Sequence, residues 1–372
     1  ALVLVILLLV CLVSAPCRPA PAETISLNGF QVVLSPPKVE FPNSITFDIE
    51  AKSDANISRL TLHYQIEKLS PIPITSVAFP QFEPALLVKT SWKWDMRRTG
   101  GLPPGTKLEY WWSIVDAEGD RVETPIASLS FDDDRYSWRS LANHQINLLW
   151  YQGDGSFAQE LVTAAVEALD RLAEDTSVQL EGEARIYIYA NSQDLQGAMV
   201  YPQEWTGGVA FTEYSTIAIG ISPNNLTWGR SAIAHELAHL VVHQVIFSGY
   251  GVELPTWLDE GLAMYAEGEL SPGLEYILVQ AMAQNWLFSA KSLCSPFPAQ
   301  TEAASLAYAQ SYSLVEYLLE KQGGKAKMCQ LLNAFKQGSG YIEALDQVYG
   351  LDIDQLDKLW REYVVEWANV SQ

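Results

Sequence analysis

The sequence predicts an α+β protein in which an N-terminal β-sandwich precedes a small mixed sheet and then a set of helices. Residues 23–130 contain short stretches in which apolar and polar residues alternate with a period of two, as in half-buried strands. Strand and helix patterns alternate after residue 140, and from residue 255 apolar residues recur at spacings of three and four. We therefore expect a β-sandwich over 23–135, an α/β half over 140–250 and a helical half over 251–372.

The composition restricts the class of protein and its partners. The chain has 372 residues, is 48% hydrophobic and 18% charged, and so resembles neither a disordered nor a collagen-like sequence. Its formal net charge of −21 argues against a nucleic-acid partner and against an anionic membrane surface, because both require basic protein surface. The composition leaves the oligomeric state open.

The first 13 residues are all apolar. Such a stretch is short for a bilayer span and suits the core of a signal peptide, and Ala20-Pro21-Ala22 offers a cleavage site. We expect residues 1–22 to be a signal peptide whose start is truncated, with an uncleaved anchor as the alternative. The body would then lie outside the cytoplasm, secreted or held at a membrane by this segment. An oxidising compartment would permit a disulfide between Cys294 and Cys329, although the sequence does not show that they meet.

The strands of the first part are short and separated by turn residues. Ser44–Glu50, Ser58–Ile66 and Leu108–Val115 each alternate or are rich in aromatic and β-branched residues. Pro103-Pro104-Gly105 precedes the third of them, and the turn Asp116–Asp120 follows it. This pattern is typical of a sandwich of immunoglobulin or fibronectin type.

The second part alternates strands and helices, and the third is helical. Strands are predicted at 145–151, 184–190, 206–211 and 215–221, the last two as a hairpin, with a helix capped by Ser156 and another beginning near Arg230. Further helices are predicted at 256–268, 274–289, 301–321, 325–336, 340–348 and 353–369.

The helix that begins near Arg230 contains an HExxH motif, His235-Glu236-Leu-Ala-His239. Residues at i and i+4 share one face of a helix, so both imidazoles can reach one metal ion. Glu236 follows His235 by roughly 100° of rotation, which places its carboxylate beside the metal and its bound water. Catalytic zinc usually has three protein ligands and a water, so the motif requires one more ligand.

Two residues compete for that position. His243 is eight residues from His235, about 12 Å along a helix, which is too far for one metal to bridge. Glu260 follows Thr256, a candidate N-cap, and Asp259, which would complete a capping box. A solvated helix acid is the alternative for Glu260, but a carboxylate among apolar neighbours normally has a partner, and a metal is one.

The two motifs together, HExxH at 235–239 and Trp-Leu-Asp-Glu-Gly-Leu-Ala at 257–263, resemble the gluzincin metallopeptidases, in particular the peptidase MA-like family. The resemblance covers roughly residues 140–370, and the spacing from His239 to Glu260 is slightly longer than in the aminopeptidase branch. It implies one zinc ion per chain held by His235, His239 and Glu260, and a peptide or protein as substrate. The N-terminal β domain lies outside the resemblance.

The resemblance also implies roles for other residues. A strand just before the metal helix would hold an extended peptide, through Gly208, Val209 and Ala210, although an ordinary hairpin strand explains these residues equally well. Glu236 would take a proton from the zinc-bound water and deliver it to the leaving amine. Tyr308 and Tyr312 are the candidate oxyanion donors, with Tyr312 preferred and packing in the helical bundle as the alternative for each.

Two other functions remain open on the sequence. A catalytically silent relative would keep the zinc site and use the cleft to bind a peptide or a surface. A purely structural zinc domain is disfavoured by Glu236, since a structural site has no need of a base.

Overall fold

The computed structural model describes residues 23–69, 73–202, 207–247 and 253–370. The predicted signal peptide over 1–22 lies outside the described residues. None of the helices described has the length and apolar character needed to cross a membrane. The chain divides into two compact units. The first comprises the described residues up to Ser140 with Leu149–Gln152 and Tyr187–Gly207, and the second comprises the remainder.

The strands of the first unit form one antiparallel sheet with the order β1-β2-β4-β7-β8, in which β3, β5 and β6 also pair with β4, and β9 pairs with β7. The bounds are β1 Glu23–Leu27, β2 Phe30–Leu34, β3 Lys38–Glu40, β4 Ser44–Ile66, β5 Thr75–Ala78, β6 Ala85–Asp95, β7 Thr106–Asp116, β8 Arg121–Glu123 and β9 Ala127–Phe131.

The strand β4 differs from the prediction. It is a single strand of 23 residues, where the sequence pattern suggested two. Its first part pairs with β6 and its second with β7, and the register shifts between Lys52 and Ile57. The polar stretch between the two alternating patterns is therefore an irregularity within one strand, and the chain does not form a turn there. Because both sets of strands share β4, hydrogen bonds link them into one sheet, where a sandwich prediction expects two separate ones.

A second sheet has the strand order β10-β11-β12-β14-β13. Its bounds are β10 Arg139–Asn143, β11 Ile146–Trp150, β12 Ala184–Tyr189, β13 Gly208–Phe211 and β14 Thr216–Gly220. β13 and β14 belong wholly to the second unit and pair antiparallel across a short 3₁₀ turn, Thr212–Tyr214, so the predicted hairpin is present. Every residue of β14 is buried, whereas β13 is the end strand of this sheet in the part of the chain described.

Nine α-helices lie in the described residues, and the α+β class is confirmed. They are α1 Gly155–Thr176, α2 Ser192–Gln196, α3 Leu226–Ile246, α4 Thr256–Glu267, α5 Pro272–Ala283, α6 Thr301–Lys321, α7 Gly324–Lys336, α8 Tyr341–Tyr349 and α9 Ile353–Val370.

Several helix ends differ from the predicted ones. α1 is capped by Asp154, which accepts a hydrogen bond from the N–H of Phe157, and Ser156 lies inside the helix. α5 ends at Ala283, six residues earlier than predicted, because Asn285 adopts the left-handed conformation that stops a helix. Cys294 and Cys329 are both free thiols, so the structure does not contain the disulfide that the sequence permits.

The helices of the second unit hold the HExxH segment in place by close packing. α3 packs on α1 and on α4, and α4 also packs on α6. Leu237, Leu240 and Val241 of α3 are fully buried, as is Trp257 at the start of α4. Gly261 of α4 lies against the backbone of Ser311 in α6, so the two helices approach closely at this glycine. Such packing fixes the mutual position of α3 and α4.

Candidate metal and catalytic centre

Three predicted ligands converge between α3 and α4. The Nε2 atoms of His235 and His239 are 3.2 Å apart, and they lie 3.3 and 3.6 Å from Oε2 of Glu260. One nitrogen or oxygen of each residue lies within 4.8 Å of the others, which is the arrangement required to hold one metal ion. The second unit therefore contains all three predicted ligands in one place.

The chemistry of these atoms fits a bound cation. Oε2 of Glu260 is buried and forms no hydrogen bond of good geometry, although both imidazoles lie close to it. A buried carboxylate oxygen without such a bond is energetically costly, and a metal ion removes that cost. Two nitrogens and one carboxylate oxygen are also the ligand set of many catalytic zinc sites.

Two further carboxylates fix the orientation of the imidazoles. Oε1 of Glu267 lies 2.9 Å from Nδ1 of His235, and Oδ1 of Asp259 lies 3.0 Å from Nδ1 of His239. An ionised carboxylate only accepts hydrogen bonds, so each Nδ1 is the protonated donor. In the neutral form of each imidazole the lone pair is then on Nε2, the atom that faces Glu260.

The surrounding carboxylates make the imidazoles strongly basic in the metal-free protein. Burial lowers the pKa of His235, but the nearby carboxylates of Glu260 and Glu267 outweigh burial and raise the pKa to about 9. For His239, burial is likewise outweighed by Asp259 and Glu260, and the pKa rises well above its ordinary value. Burial raises the pKa of Glu260, but the two imidazoles lower it overall to about 2. The site thus favours a positive charge at its centre.

Glu236 lies against the hairpin strand β13. A side chain at Gly208 would place its Cβ 2.6 Å from Oε1 of Glu236, so the absence of that side chain leaves room for the carboxylate. Burial raises the pKa of Glu236, and this effect exceeds the opposing effects of His239, His235 and the N–H of Ala210. The carboxylate therefore binds a proton more readily than an exposed Glu does.

The two tyrosine candidates are in different surroundings. The ring of Tyr308 lies 6.3 Å from the ring of His235. Burial raises the pKa of Tyr308 to about 12, with further contributions from Glu260 and Glu236.

Tyr312 instead packs on Tyr265 at 5.8 Å, and burial together with the charge of Glu316 raises its pKa. Of the two candidates, Tyr308 is the one whose ring contact is with His235, whereas that of Tyr312 is with Tyr265. Which tyrosine donates to the oxyanion stays a prediction.

The predicted substrate strand is half-exposed. Gly208, Val209 and Ala210 pair with Ile219, Ala218 and Ile217 of β14. Because β13 is the end strand of its sheet in the described part of the chain, its outer edge can accept an extended peptide by main-chain hydrogen bonds. The binding of substrate there remains a prediction.

The sequence did not reveal the supporting carboxylates. Thr256 is the first residue of α4 and not its cap, and Asp259 faces the histidines instead of completing a capping box. The N-cap is Pro255, while the Thr256 hydroxyl donates to the carbonyl of Cys294. Glu267 lies seven residues after Glu260, nearly two full turns, and this spacing would have placed it on the same face of α4.

Comparison with known proteins identifies a family. Residues 164–366 match the family model described as the Peptidase MA superfamily, which covers more than half of the chain and confirms the predicted resemblance. No curated protein matches the chain.

Solved structures resemble the chain weakly. An M1 zinc metallopeptidase from Deinococcus radiodurans is 13% identical, with 90% of this chain and 94% of that one covered and a TM-score of 0.32. An aminopeptidase N family protein from Idiomarina loihiensis is 11% identical over 86% of this chain and 73% of that one, with a TM-score of 0.40. OgpA from Akkermansia muciniphila, in complex with an O-glycopeptide, is 14% identical with a TM-score of 0.20. The match covers 32% of this chain and only 30% of OgpA.

Proposed function

Because the chain belongs to the Peptidase MA superfamily, we propose that it is a zinc-dependent metallopeptidase that hydrolyses peptide bonds with Glu236 as general base. One observation carries this proposal. His235, His239 and Glu260 converge around a buried carboxylate oxygen that forms no good hydrogen bond, and Glu236 follows His235 directly on the same helix.

Three ligands and the carboxylates that support them would hold the ion. Nε2 of His235, Nε2 of His239 and Oε2 of Glu260 are the atoms that would bind zinc. When bound, zinc polarises the scissile carbonyl and lowers the pKa of a coordinated water. Glu267 and Asp259 accept hydrogen bonds from the Nδ1–H groups, which leaves both Nε2 atoms free to bind the ion.

Glu236 moves the proton. Its carboxylate is held between α3 and β13, and its raised pKa suits a group that must first accept and then release a proton. It accepts a proton from the attacking water, holds it on a carboxylate oxygen and donates it to the amine of the leaving peptide. Gly208 allows this position because it has no side chain.

Tyr308 stabilises the negative charge that develops on the carbonyl oxygen. With a pKa of about 12 its hydroxyl remains protonated at neutral pH, so it can donate a hydrogen bond. Its ring lies beside His235, on the side of the centre lined by α6. The substrate itself lies extended along the outer edge of β13.

The enzyme acts outside the cytoplasm in this proposal. The support is the run of 13 apolar residues at the start of the sequence, which suits a signal peptide or an anchor. Fractionation of cells that express the full sequence, with detection of the chain in the medium, the envelope and the cytoplasm, tests the location. Recovery of the chain from the cytoplasm alone would contradict it.

Two substitutions test the function. Glu236→Gln should bind one zinc ion per chain as the wild type does but lose peptide cleavage by about a thousandfold or more, because the amide cannot accept the proton. Glu260→Ala should lose the zinc. Metal analysis and digestion of a peptide library are the measurements, and Glu343→Gln on the exposed face of α8 is the matched control.

The outcomes separate the proposal from its alternative. A Glu236→Gln variant with undiminished turnover would exclude the mechanism. A wild-type chain that binds zinc but cleaves no peptide in the library would favour the catalytically silent relative.

A further inference from the structure

His243 lies one turn beyond His239 on α3 and contacts the carboxylate that orients His239. Its Nε2 is 3.1 Å from Oδ1 and 3.0 Å from Oδ2 of Asp259. Oδ1 of the same carboxylate is 3.0 Å from Nδ1 of His239. Asp259 is thus held between two imidazoles, only one of which belongs to the three-ligand cluster with Glu260.

We propose that His243 is a positioning residue of the metal centre, which holds Asp259 so that Asp259 in turn orients His239. This inference rests on the proposed zinc-dependent function. Nε2 of His243 contacts both oxygens of Asp259, and Oδ1 of Asp259 contacts Nδ1 of His239. The opposite nitrogen of the His239 ring, Nε2, faces the other ligands.

The geometry explains why Asp259 needs a second partner. A carboxylate bound only through Oδ1 can rotate about its terminal torsion, which is broad for Asp, and then loses its alignment with the imidazole. A donor that contacts both oxygens removes this freedom.

His235 provides an internal comparison. Its Nδ1 pairs with Glu267, which lies on α4 two turns after Asp259 and does not contact His243 in the bonds that the structure describes. The two imidazoles are therefore oriented by separate carboxylates. A change at His243 should act through Asp259 and not through Glu267.

A second cation site is the competing explanation, because His239, His243 and Asp259 also lie within 4.8 Å of one another. A metal there would need Nδ1 of His239, although Nε2 of the same ring is already directed at Glu260. One imidazole would have to give up its N–H proton to bind two ions. The short distances to Asp259 are instead those of ordinary hydrogen bonds.

Zinc affinity measured by competition with a chromophoric chelator tests the inference. His243→Ala should weaken zinc binding by about ten- to a hundredfold, the usual effect of removing such a support. His243→Gln should restore affinity to within a few-fold, because a glutamine amide nitrogen can occupy the place of Nε2. Thermal unfolding of both variants shows whether they fold, and the Gln variant keeps the test valid if the Ala variant does not.

A double-mutant cycle separates positioning from general packing. In a chain that carries Asp259→Ala, His243→Ala should cause no further loss of zinc affinity, because its partner is already absent. In a chain that carries Glu267→Gln, the matched control, the loss from His243→Ala should persist in full. Equal losses in both backgrounds would overturn the inference.

Three further outcomes separate the role of His243 from the proposed zinc-dependent function. A wild-type chain that binds zinc, with His243→Ala unchanged in affinity, overturns this inference alone. A wild-type chain that binds no zinc overturns the proposed function and this inference together. Two zinc ions per wild-type chain, with the second lost in His243→Gln, would replace the positioning role by a second metal site.

Discussion

At the scale of single residues, the metal centre depends on its ligands and also on Gly208, whose missing side chain leaves room for the Glu236 carboxylate. The sequence identified His235, Glu236, His239 and Glu260 because their spacing on a helix or in a motif is regular, and the structure brings them together. The contact of Tyr308, and not of Tyr312, with the ring of His235 could not be predicted in the same way. Helical spacing gives the face of a residue but not its depth along the axis relative to a neighbouring helix.

Gly208 provides the residue-scale prediction. Gly208→Ala places a Cβ 2.6 Å from Oε1 and 2.9 Å from Cγ of Glu236, so the carboxylate must move away from β13. We expect kcat/KM for peptide cleavage to fall by about a hundredfold, since a displacement near 1 Å costs that much, while zinc content stays at the wild-type level.

The control for this prediction is Gly273→Ala in the first turn of α5, where a Cβ meets nothing within 4 Å. It should retain full activity. A Gly208→Ala enzyme as active as the wild type would show that the base is not confined by β13.

At the scale of elements, periodicity predicted the helices, but local signals misplaced several of their ends. Thr256 and Ser156 both look like caps in sequence, yet Pro255 and Asp154 occupy those positions. A cap depends on the direction from which the chain enters the helix, which a short motif does not determine. The continuity of β4 was missed for a related reason. Its partners β6 and β7, and not its own residues, keep it extended through the irregular stretch.

Gly261 gives the element-scale prediction. Ala normally stabilises a helix interior by about 1 kcal/mol relative to Gly. Here a Cβ would collide with the backbone carbonyl of Ser311, which cannot turn aside as a flexible side chain can, so α4 and α6 must separate. We expect Gly261→Ala to lower the free energy of unfolding by about 1–3 kcal/mol, as overpacking does.

Denaturant unfolding measures this effect. The variant should also bind zinc more weakly, because Glu260 is the preceding residue on α4. Gly273→Ala is again the matched control, and it should be neutral or slightly stabilising. Increased stability of Gly261→Ala would contradict the close helix contact.

At the scale of the whole molecule, zinc binding and folding are linked through the protons of the centre. The pKa of His235 in the metal-free fold is about 9, against an ordinary value of 6.5. A raised folded-state pKa stabilises the metal-free fold fully below pH 6.5, and this contribution is lost as pH rises through about 9. Zinc requires the unprotonated imidazole, so it must displace this proton at the lower pH values.

We therefore expect the rise in Tm produced by one equivalent of zinc to grow as pH increases from 6.5 to 9. Scanning calorimetry of zinc-loaded and chelator-treated protein across this range is the measurement. Glu267→Gln is the control. Without this carboxylate the pKa of His235 falls, so the zinc-induced rise in Tm should increase over a lower range of pH. A zinc-induced shift of Tm that stays constant over the range would mean that no proton leaves the site when the metal binds. The carboxylates around the histidines would then not raise their basicity in the metal-free protein.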